Sequence, residues 1–182
     1  MQIYHASVTL EDGFEVLEQP TKHDRLVRGK RVDRPSGWTL FHHMKGQPIR
    51  CHFCGCQADQ WVAEKGRKDH QGHPVLNLFA TNSQGHVVLM TRDHIIPRSL
   101  GGVDAVANLR PACGPCNEQR SNDVSPEVIR FAQEHPELVN KERIIKGLES
   151  LQNHIESLRR NGKQNEAEIS RILKPYQDMG YL

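Results

Sequence analysis

The sequence contains few aromatic residues, a modest share of apolar residues and no long hydrophobic run. Phe, Trp and Tyr together make up 5% of its 182 residues, and all hydrophobic types make up 36%. This composition predicts a small apolar core with helical or extended additions, and it argues against one large core. Because no stretch of about 18 consecutive apolar residues occurs, we expect no transmembrane helix and no membrane partner.

The first residues also lack the basic start and the apolar stretch of a secretory signal. We therefore expect a cytoplasmic protein, in which cysteines stay reduced. Five cysteines in such a protein indicate metal binding or catalysis instead of disulfides.

The chain divides by composition into three parts. Residues 1–47 carry weak signals, and the apolar residues between Val8 and Leu17 favour short strands. Residues 48–124 contain all five cysteines and alternate strand and loop signals, whereas residues 125–182 are predicted to be helical. The expected fold class is therefore α+β, with an N-terminal basic arm, a small central core and a C-terminal helical extension.

One apolar stripe predicts a long helix in the last part of the chain. Its residues recur every three or four positions, as one face of a helix requires. We favour packing of this stripe within the chain, and self-association as a short coiled coil is the alternative. The stripe consists of Ile144, Leu148, Leu151, Ile155 and Leu158.

Several residues of the helical part are typical of the places where helices begin and end. Ser125 followed by Pro126 suits the N-cap and the first helical position. Asn161-Gly162 is expected to end the long helix, and a last helix is expected to break near Pro175.

Positive charge is concentrated near the N-terminus. Residues 21–50 contain eight Lys or Arg and two Asp, whereas residues 1–20 contain four acids and no Lys or Arg. Such a segment either contacts phosphate or forms a solvated linker, and charge alone does not separate the two interpretations. The candidate nucleic-acid-binding residues of this arm are Arg25, Arg28, Lys30 and Arg31.

Two CxxC pairs, Cys51 with Cys54 and Cys113 with Cys116, predict a structural Zn²⁺ site. Each pair can present two thiolates from one tight turn, and four thiolates complete a tetrahedral site. The alternative is a thioredoxin-like redox pair, but no βαβ pattern surrounds either pair. A closed four-cysteine site leaves no open position, so this zinc should hold the fold. The fifth cysteine, Cys56, is interpreted as a bystander that could substitute as a ligand.

The residues around the second pair predict a strand, a loop, a second strand and a helix. Val87–Met90 is an apolar, β-branched run. Pro97 and Gly101-Gly102 favour a loop, residues 108–112 a short strand, and residues 116–122 a helix.

The same segment contains the groups that phosphodiester hydrolysis needs. Asp93 is a hard oxygen ligand suited to Mg²⁺, and Asn117 offers a second oxygen. His94 can act as a general base near neutral pH, and the Asn108 amide can orient its imidazole. Two further cations that could contact phosphate are Arg98 and Arg120.

The order of these residues resembles that of the HNH endonucleases over roughly residues 50–123. The motifs that carry the resemblance are Asp93-His94-Ile95-Ile96-Pro97, Gly101-Gly102, Asn108-Leu109 and Cys113-x-x-Cys116-Asn117. The resemblance implies a ββα-metal core that cuts DNA, most simply double-stranded DNA, and leaves 5′-phosphate and 3′-hydroxyl ends. It implies that Asp93 and Asn117 hold a catalytic Mg²⁺ or Mn²⁺ ion, that His94 is the general base and that Asn108 positions it.

Asn117 stands at the last position of the family signature, where Asn is a known variant. A neutral ligand there should hold the metal more weakly than an anion would. The alternatives are a catalytically inert zinc module that binds nucleic acid, and a protein whose helices at 125–182 recruit a packaging or replication partner. The compact size would suit a phage or mobile-element protein, by analogy alone.

Overall fold

The computed structural model contains both helices and a sheet, which confirms the expected α+β class. It describes residues 6–64, 73–121, 124–160 and 166–182. The predicted helix stop at Asn161-Gly162 lies outside the described residues. Within the described ranges, no helix has the length and apolar character needed to cross a bilayer.

Two compact units can be distinguished by their internal packing. The first unit consists of Met1–Asp93 and Arg110–Arg120, and the second of His94–Leu109 and Ser121–Leu182. The division of the chain expected from composition stays a prediction.

Seven strands are described, and five of them form one sheet in the order β1-β4-β5-β6-β7. The remaining two, β2 and β3, pair as an antiparallel hairpin. The strands are β1 (Ala6–Val8), β2 (Leu26–Val27), β3 (Lys30–Arg31), β4 (Ala58–Glu64), β5 (Val75–Thr81), β6 (Val87–His94) and β7 (Leu109–Cys113).

Six α-helices accompany these strands in the described residues. Strand β7 leads directly into α3, so the predicted order of strand, loop, strand and helix around the second CxxC pair is present. The helices are α1 (Leu10–Glu18), α2 (Trp38–His43), α3 (Gly114–Arg120), α4 (Pro126–Glu134), α5 (Lys141–Arg160) and α6 (Glu166–Asp178).

The core of the first unit is built around Trp61 on β4, which is fully buried. Its antiparallel partner on β5 is Leu78, also fully buried. On α1, a Cβ at Gly13 would lie 2.1 Å from the Trp61 ring, so only glycine permits this approach of the helix. The Phe14 ring meets the Trp61 ring edge-on, with centroids 5.3 Å apart.

The expectation of short strands between Val8 and Leu17 is wrong for most of that segment. A strand is present only at Ala6–Val8, and Leu10–Glu18 is helical. The side chain of Thr9 caps this helix by accepting a hydrogen bond from the backbone N–H of Asp12 at 3.1 Å. An N-cap threonine and acidic residues in the first turn are helix-start signals, and they outweigh the local β propensity of the apolar residues.

The second unit packs its helices around one apolar cluster. Leu148 and Leu151 of the predicted stripe lie against this cluster, so these positions pack within the chain. The side chain of Leu158 lies outside the described residues. The fully or nearly buried members of the cluster are Ile96, Leu100, Ala132, Leu138, Ile144 and Tyr176.

The last helix does not break at Pro175. Pro175 lies inside α6, which ends at Asp178, less than one turn later. A proline removes its own N–H donor and crowds the carbonyl four residues earlier, and at Pro175 this disturbance falls in the last turns of α6. The backbone N–H of Met179 still donates to the Pro175 carbonyl at 3.1 Å.

Candidate functional site

Four cysteines of the first unit lie together in a group that could hold a metal such as zinc. Their sulfur atoms all lie within 4.8 Å of one another, and the Sγ atoms of Cys54 and Cys113 are 3.7 Å apart. Tetrahedral zinc with Zn–S distances of about 2.3 Å places its sulfurs about 3.8 Å apart, so the spacing fits. The members are Cys51, Cys54, Cys113 and Cys116, as the two CxxC motifs predicted.

In the first CxxC pair, the surroundings of Cys51 favour the thiolate form that a metal requires. Burial opposes ionisation of Cys51, but backbone N–H groups of Cys54, Cys113 and Phe53 outweigh it and lower its pKa to about 6. Burial raises the pKa of the Cys113 thiol. The donor types and this hydrogen bonding together fit a metal-thiolate site.

Cys56 lies beside the four-cysteine group without belonging to it. Burial raises the pKa of its thiol, and contacts with the sulfurs of Cys54 and Cys113 add to this shift. The Cys56 carbonyl accepts a hydrogen bond from the Cys51 N–H at 2.9 Å, which closes the turn of the first CxxC pair. The bystander interpretation of Cys56 stays a prediction.

Asp93 is the last residue but one of strand β6, and its carboxylate is held by two arginines. Asp93 is 3% exposed. Its Oδ2 accepts a hydrogen bond from Nε of Arg110 on β7 at 2.8 Å, and its Oδ1 accepts one from Nη1 of Arg120 on α3 at 2.5 Å. A buried carboxylate requires such partners, because a charge without them is costly to remove from water.

The sequence predicted a different role for one of these arginines and no role for the other. Arg120 was expected to contact phosphate, but its side chain is 7% exposed and bonded to Asp93. Arg110 was missed, although it follows Asn108 by two positions in the predicted second strand. The Arg110 guanidinium also lies over the ring of Phe53, 4.7 Å from its centroid, so it contacts the first CxxC pair as well as Asp93.

Asn117, the second expected metal ligand, is anchored on β6. Its Nδ2 donates to Oγ1 of Thr91 at 2.9 Å, and that hydroxyl donates to the Ala112 carbonyl at 2.9 Å. This chain of hydrogen bonds uses the amide nitrogen. The amide oxygen is the atom that could coordinate a cation.

The oxygens of Asp93 and Asn117 are the donor types that Mg²⁺ and Mn²⁺ accept, so their chemistry fits a divalent cation. The two arginines on Asp93 oppose a further positive charge. A carboxylate oxygen can accept more than one partner, so a cation could share Asp93 with them. We therefore expect weak cation binding.

In the second unit, the imidazole of His94 contacts an acid that sequence reasoning missed. His94 Nε2 lies 2.8 Å from Oδ1 of Asp104. The Arg98 guanidinium donates to both oxygens of the same carboxylate, at 2.7 and 2.6 Å. Asp104 could have been singled out by its position in the sequence, since it is the only acid between His94 and Asn108.

Asn108 fixes the loop that follows His94. Its fully buried side chain accepts a hydrogen bond from the Ile96 N–H at 2.8 Å. Its Nδ2 donates to the carbonyls of Ile96 and Val103 at 3.2 and 2.9 Å. The structure thus gives the Asn108 amide different partners from the expected imidazole, namely the loop backbone at Ile96 and Val103.

The pair Gly101-Gly102 allows this loop to close. Gly101 has a φ of +80°, which side chains rarely adopt. A Cβ at Gly102 would lie 1.9 Å from the Ile96 carbonyl oxygen and 2.9 Å from Nδ2 of Asn108. The two glycines of the motif are therefore required by backbone conformation and by close approach.

The basic arm contains the β2–β3 hairpin, whose tip carries two exposed cations. Arg28 and Gly29 have φ of +49° and +75°, as a tight turn between β2 and β3 requires. Arg28 and Lys30 are exposed. Arg25 is partly buried and donates to the Gln19 carbonyl at 3.2 Å, and Arg31 pairs with Asp33.

Comparison with known proteins identifies one family. Residues 82–132 match the HNH endonucleases, a segment that includes all the expected catalytic residues and the second CxxC pair. A search of curated proteins and a search of solved structures each found no match. The resemblance is confirmed over this segment, and it suggests a nuclease that acts on nucleic acid.

Proposed function

We propose that this chain is a metal-dependent HNH endonuclease that hydrolyses phosphodiester bonds in double-stranded DNA. The observation that carries the proposal is the family match over residues 82–132. Within it, each signature position holds a residue competent for the chemistry, namely Asp93, His94, Asn108 and Asn117. The expected products carry 5′-phosphate and 3′-hydroxyl ends.

Asp93 and Asn117 would hold the catalytic cation, Mg²⁺ or Mn²⁺. When bound, such an ion stabilises negative charge on the phosphate and on the leaving oxygen. The residues of the first unit prepare this site. Arg110 and Arg120 fix the Asp93 carboxylate, and Thr91 fixes the Asn117 amide.

His94, the next residue in the chain, would accept a proton from the attacking water. As the water oxygen forms its bond to phosphorus, the bond from phosphorus to the 3′-oxygen breaks. The 3′-oxygen then takes a proton from solvent, and His94 returns its own proton to solvent. General-base catalysis of this kind contributes about 10²- to 10⁴-fold in rate.

The phosphate contacts proposed from the sequence differ in exposure. Arg28 and Lys30 are exposed at the hairpin tip, and the Arg98 side chain is 54% exposed. Arg25 and Arg31 are partly buried, and Arg120 bonds Asp93. The hairpin tip is therefore the part of the basic arm best able to neutralise phosphates.

The test is cleavage of a supercoiled plasmid with Mg²⁺ or Mn²⁺, by the wild-type protein and by His94→Ala. We expect nicked or linear DNA only from the wild type, with DNA binding retained in the variant. Equal cleavage by both would exclude His94 as the base, and DNA binding without cleavage by the wild type would contradict the enzymatic assignment.

A second candidate is a zinc module that binds nucleic acid without cutting it. The observation that favours it is the double arginine pairing of Asp93, which already occupies both carboxylate oxygens. This candidate predicts DNA binding that does not respond to Mg²⁺ or Mn²⁺. Recruitment of a protein partner or a second copy by the C-terminal helices stays a prediction.

A further inference from the structure

The loop between His94 and Asn108 contains one acid, Asp104, in contact with the imidazole. The Nε2–Oδ1 distance is 2.8 Å, within the range of a good N–H···O hydrogen bond. The His94 side chain is 13% exposed and Asp104 is 38% exposed, so the contact lies at the edge of the second unit. The proposed mechanism assigns Asp104 no role.

We infer that Asp104 is the positioning residue of the general base and that Nδ1 of His94 is the atom that accepts the proton. The inference rests on the proposed function. An ionised carboxylate only accepts hydrogen bonds, so Nε2 must carry the hydrogen in this contact. A neutral imidazole has one N–H, which places the lone pair on Nδ1.

A second contact of Nε2 is weaker and does not change this assignment. Arg98 Nε lies 3.4 Å from His94 Nε2, beyond the usual N–H···N range. An unprotonated Nε2 would bring its lone pair against a carboxylate oxygen at 2.8 Å, which is repulsive. The Nε2–H tautomer is therefore the one that Asp104 selects.

Arg98 holds Asp104 in place. Its Nη2 lies 2.7 and 2.6 Å from the two oxygens of Asp104. This charge-assisted contact fixes the carboxylate, and Asp104 in turn fixes the ring. Arg98, expected from the sequence to contact phosphate, thus serves the base through Asp104.

The assignment specifies where the proton goes. Nδ1 takes a proton from the attacking water, and the imidazole becomes an imidazolium. The Nε2–H bond to Asp104 is retained and strengthened, because both partners are then charged. The proton leaves from Nδ1 to solvent after cleavage, so neither Asp104 nor Arg98 changes its protonation state.

The tautomer can be measured without any cleavage assay. In protein labelled with ¹⁵N-histidine, the ring-nitrogen shifts of His94 report which nitrogen is protonated. They are recorded where the imidazole is neutral, and assigned by loss of the signal in His94→Ala. We expect the Nε2–H form in the wild type and in Asp104→Glu, and a mixture of tautomers in Asp104→Asn.

Cleavage is measured under single-turnover conditions with saturating protein and Mg²⁺. Asp104→Asn should slow cleavage about 10- to 100-fold, as loss of an orienting partner does, with DNA affinity unchanged within about twofold. Asp104→Glu should restore part of the rate. Asp178→Asn is the matched control, since Asp178 is 37% exposed and pairs with Lys174 on the surface of the same unit. We expect it to cleave like the wild type.

A double variant separates positioning from general damage to the fold. In the His94→Ala background, whose slow residual rate is followed over long single-turnover incubations, Asp104→Asn should cause no further loss, because its effect passes through the imidazole. Wild-type cleavage by Asp104→Asn, or an Nδ1–H tautomer in the wild type, would overturn the inference. Retained cleavage by His94→Ala would instead contradict the proposed function, whereas the tautomer would still report on the Asp104 contact.

Discussion

Arg110 Nε donates to Oδ2 of Asp93 at 2.8 Å, and the carboxylate that receives this bond is 3% exposed. The residue that the family signature assigns to metal binding is thus held by the protein's own cations. Loss of either partner of such a buried ion pair is destabilising, and the arginines would compete with a divalent ion for the same oxygens.

Removing one of these arginines should therefore lower the stability of the fold and raise its affinity for a divalent ion. Arg110→Ala should lower the free energy of unfolding by about 2 kcal/mol, because Asp93 loses a charge-assisted hydrogen bond. The same variant should bind Mn²⁺ more tightly than the wild type, because one opposing charge is gone. Chemical denaturation and Mn²⁺ titration measure the two effects. Lys45→Ala, which removes an exposed partner of Glu18, is the control and should change neither. Weaker Mn²⁺ binding by Arg110→Ala would contradict the competition.

Closure of the loop after His94 should depend on Gly102. In Gly102→Ala the new methyl group would overlap the Ile96 carbonyl and disturb the Asn108 amide, which should cost about 3 kcal/mol. Gly147→Ala on α5 meets no atom closer than 3.9 Å and should stabilise the protein by up to about 1 kcal/mol. Equilibrium unfolding of both variants provides the comparison. Equal stabilities would show that the loop relaxes around the methyl group.

Zinc should be needed for folding of the first unit. Cys113→Ser should lose bound zinc and unfold at a much lower temperature, because binding free energy of a structural metal contributes to folding. Cys56→Ser should keep zinc, since Cys56 lies outside the four-sulfur group. Metal analysis and thermal unfolding test both. Full zinc content in Cys113→Ser would indicate that Cys56 replaces it as a ligand.

The hairpin tip should contribute to the salt dependence of DNA binding. Replacing both Arg28 and Lys30 by Gln should reduce the slope of log affinity against log salt by about 1.8, or about 0.9 per phosphate contact. Lys174→Gln is the control, because Lys174 is 70% exposed but lies on α6. Binding titrations over a range of salt concentrations give the slopes. An unchanged slope in the double variant would mean that the hairpin does not touch phosphate.

Local motifs could be read from the sequence because their members fix one another's geometry over short distances. The two CxxC pairs predicted the four-cysteine group, and Val87–Met90 predicted the start of β6. The long amphipathic helix at Lys141–Arg160 followed from the period of its apolar residues. The α1 helix could not be predicted from its apolar residues alone, because their β propensity conflicts with the helix-start signal of the Thr9 cap.

By itself the sequence determined the α+β class, the two CxxC pairs and the HNH signature, since the spacing within each pattern is short. Only the tertiary structure decided which side chains meet. Arg110 and Arg120 reach Asp93 from β7 and α3, and Asp104 reaches His94 across a closed loop. The physical reason is that such contacts depend on the order of the strands and on the path of the loop backbone. Spacing along the chain specifies neither, and a buried charge selects its partner only once the chain has folded around it.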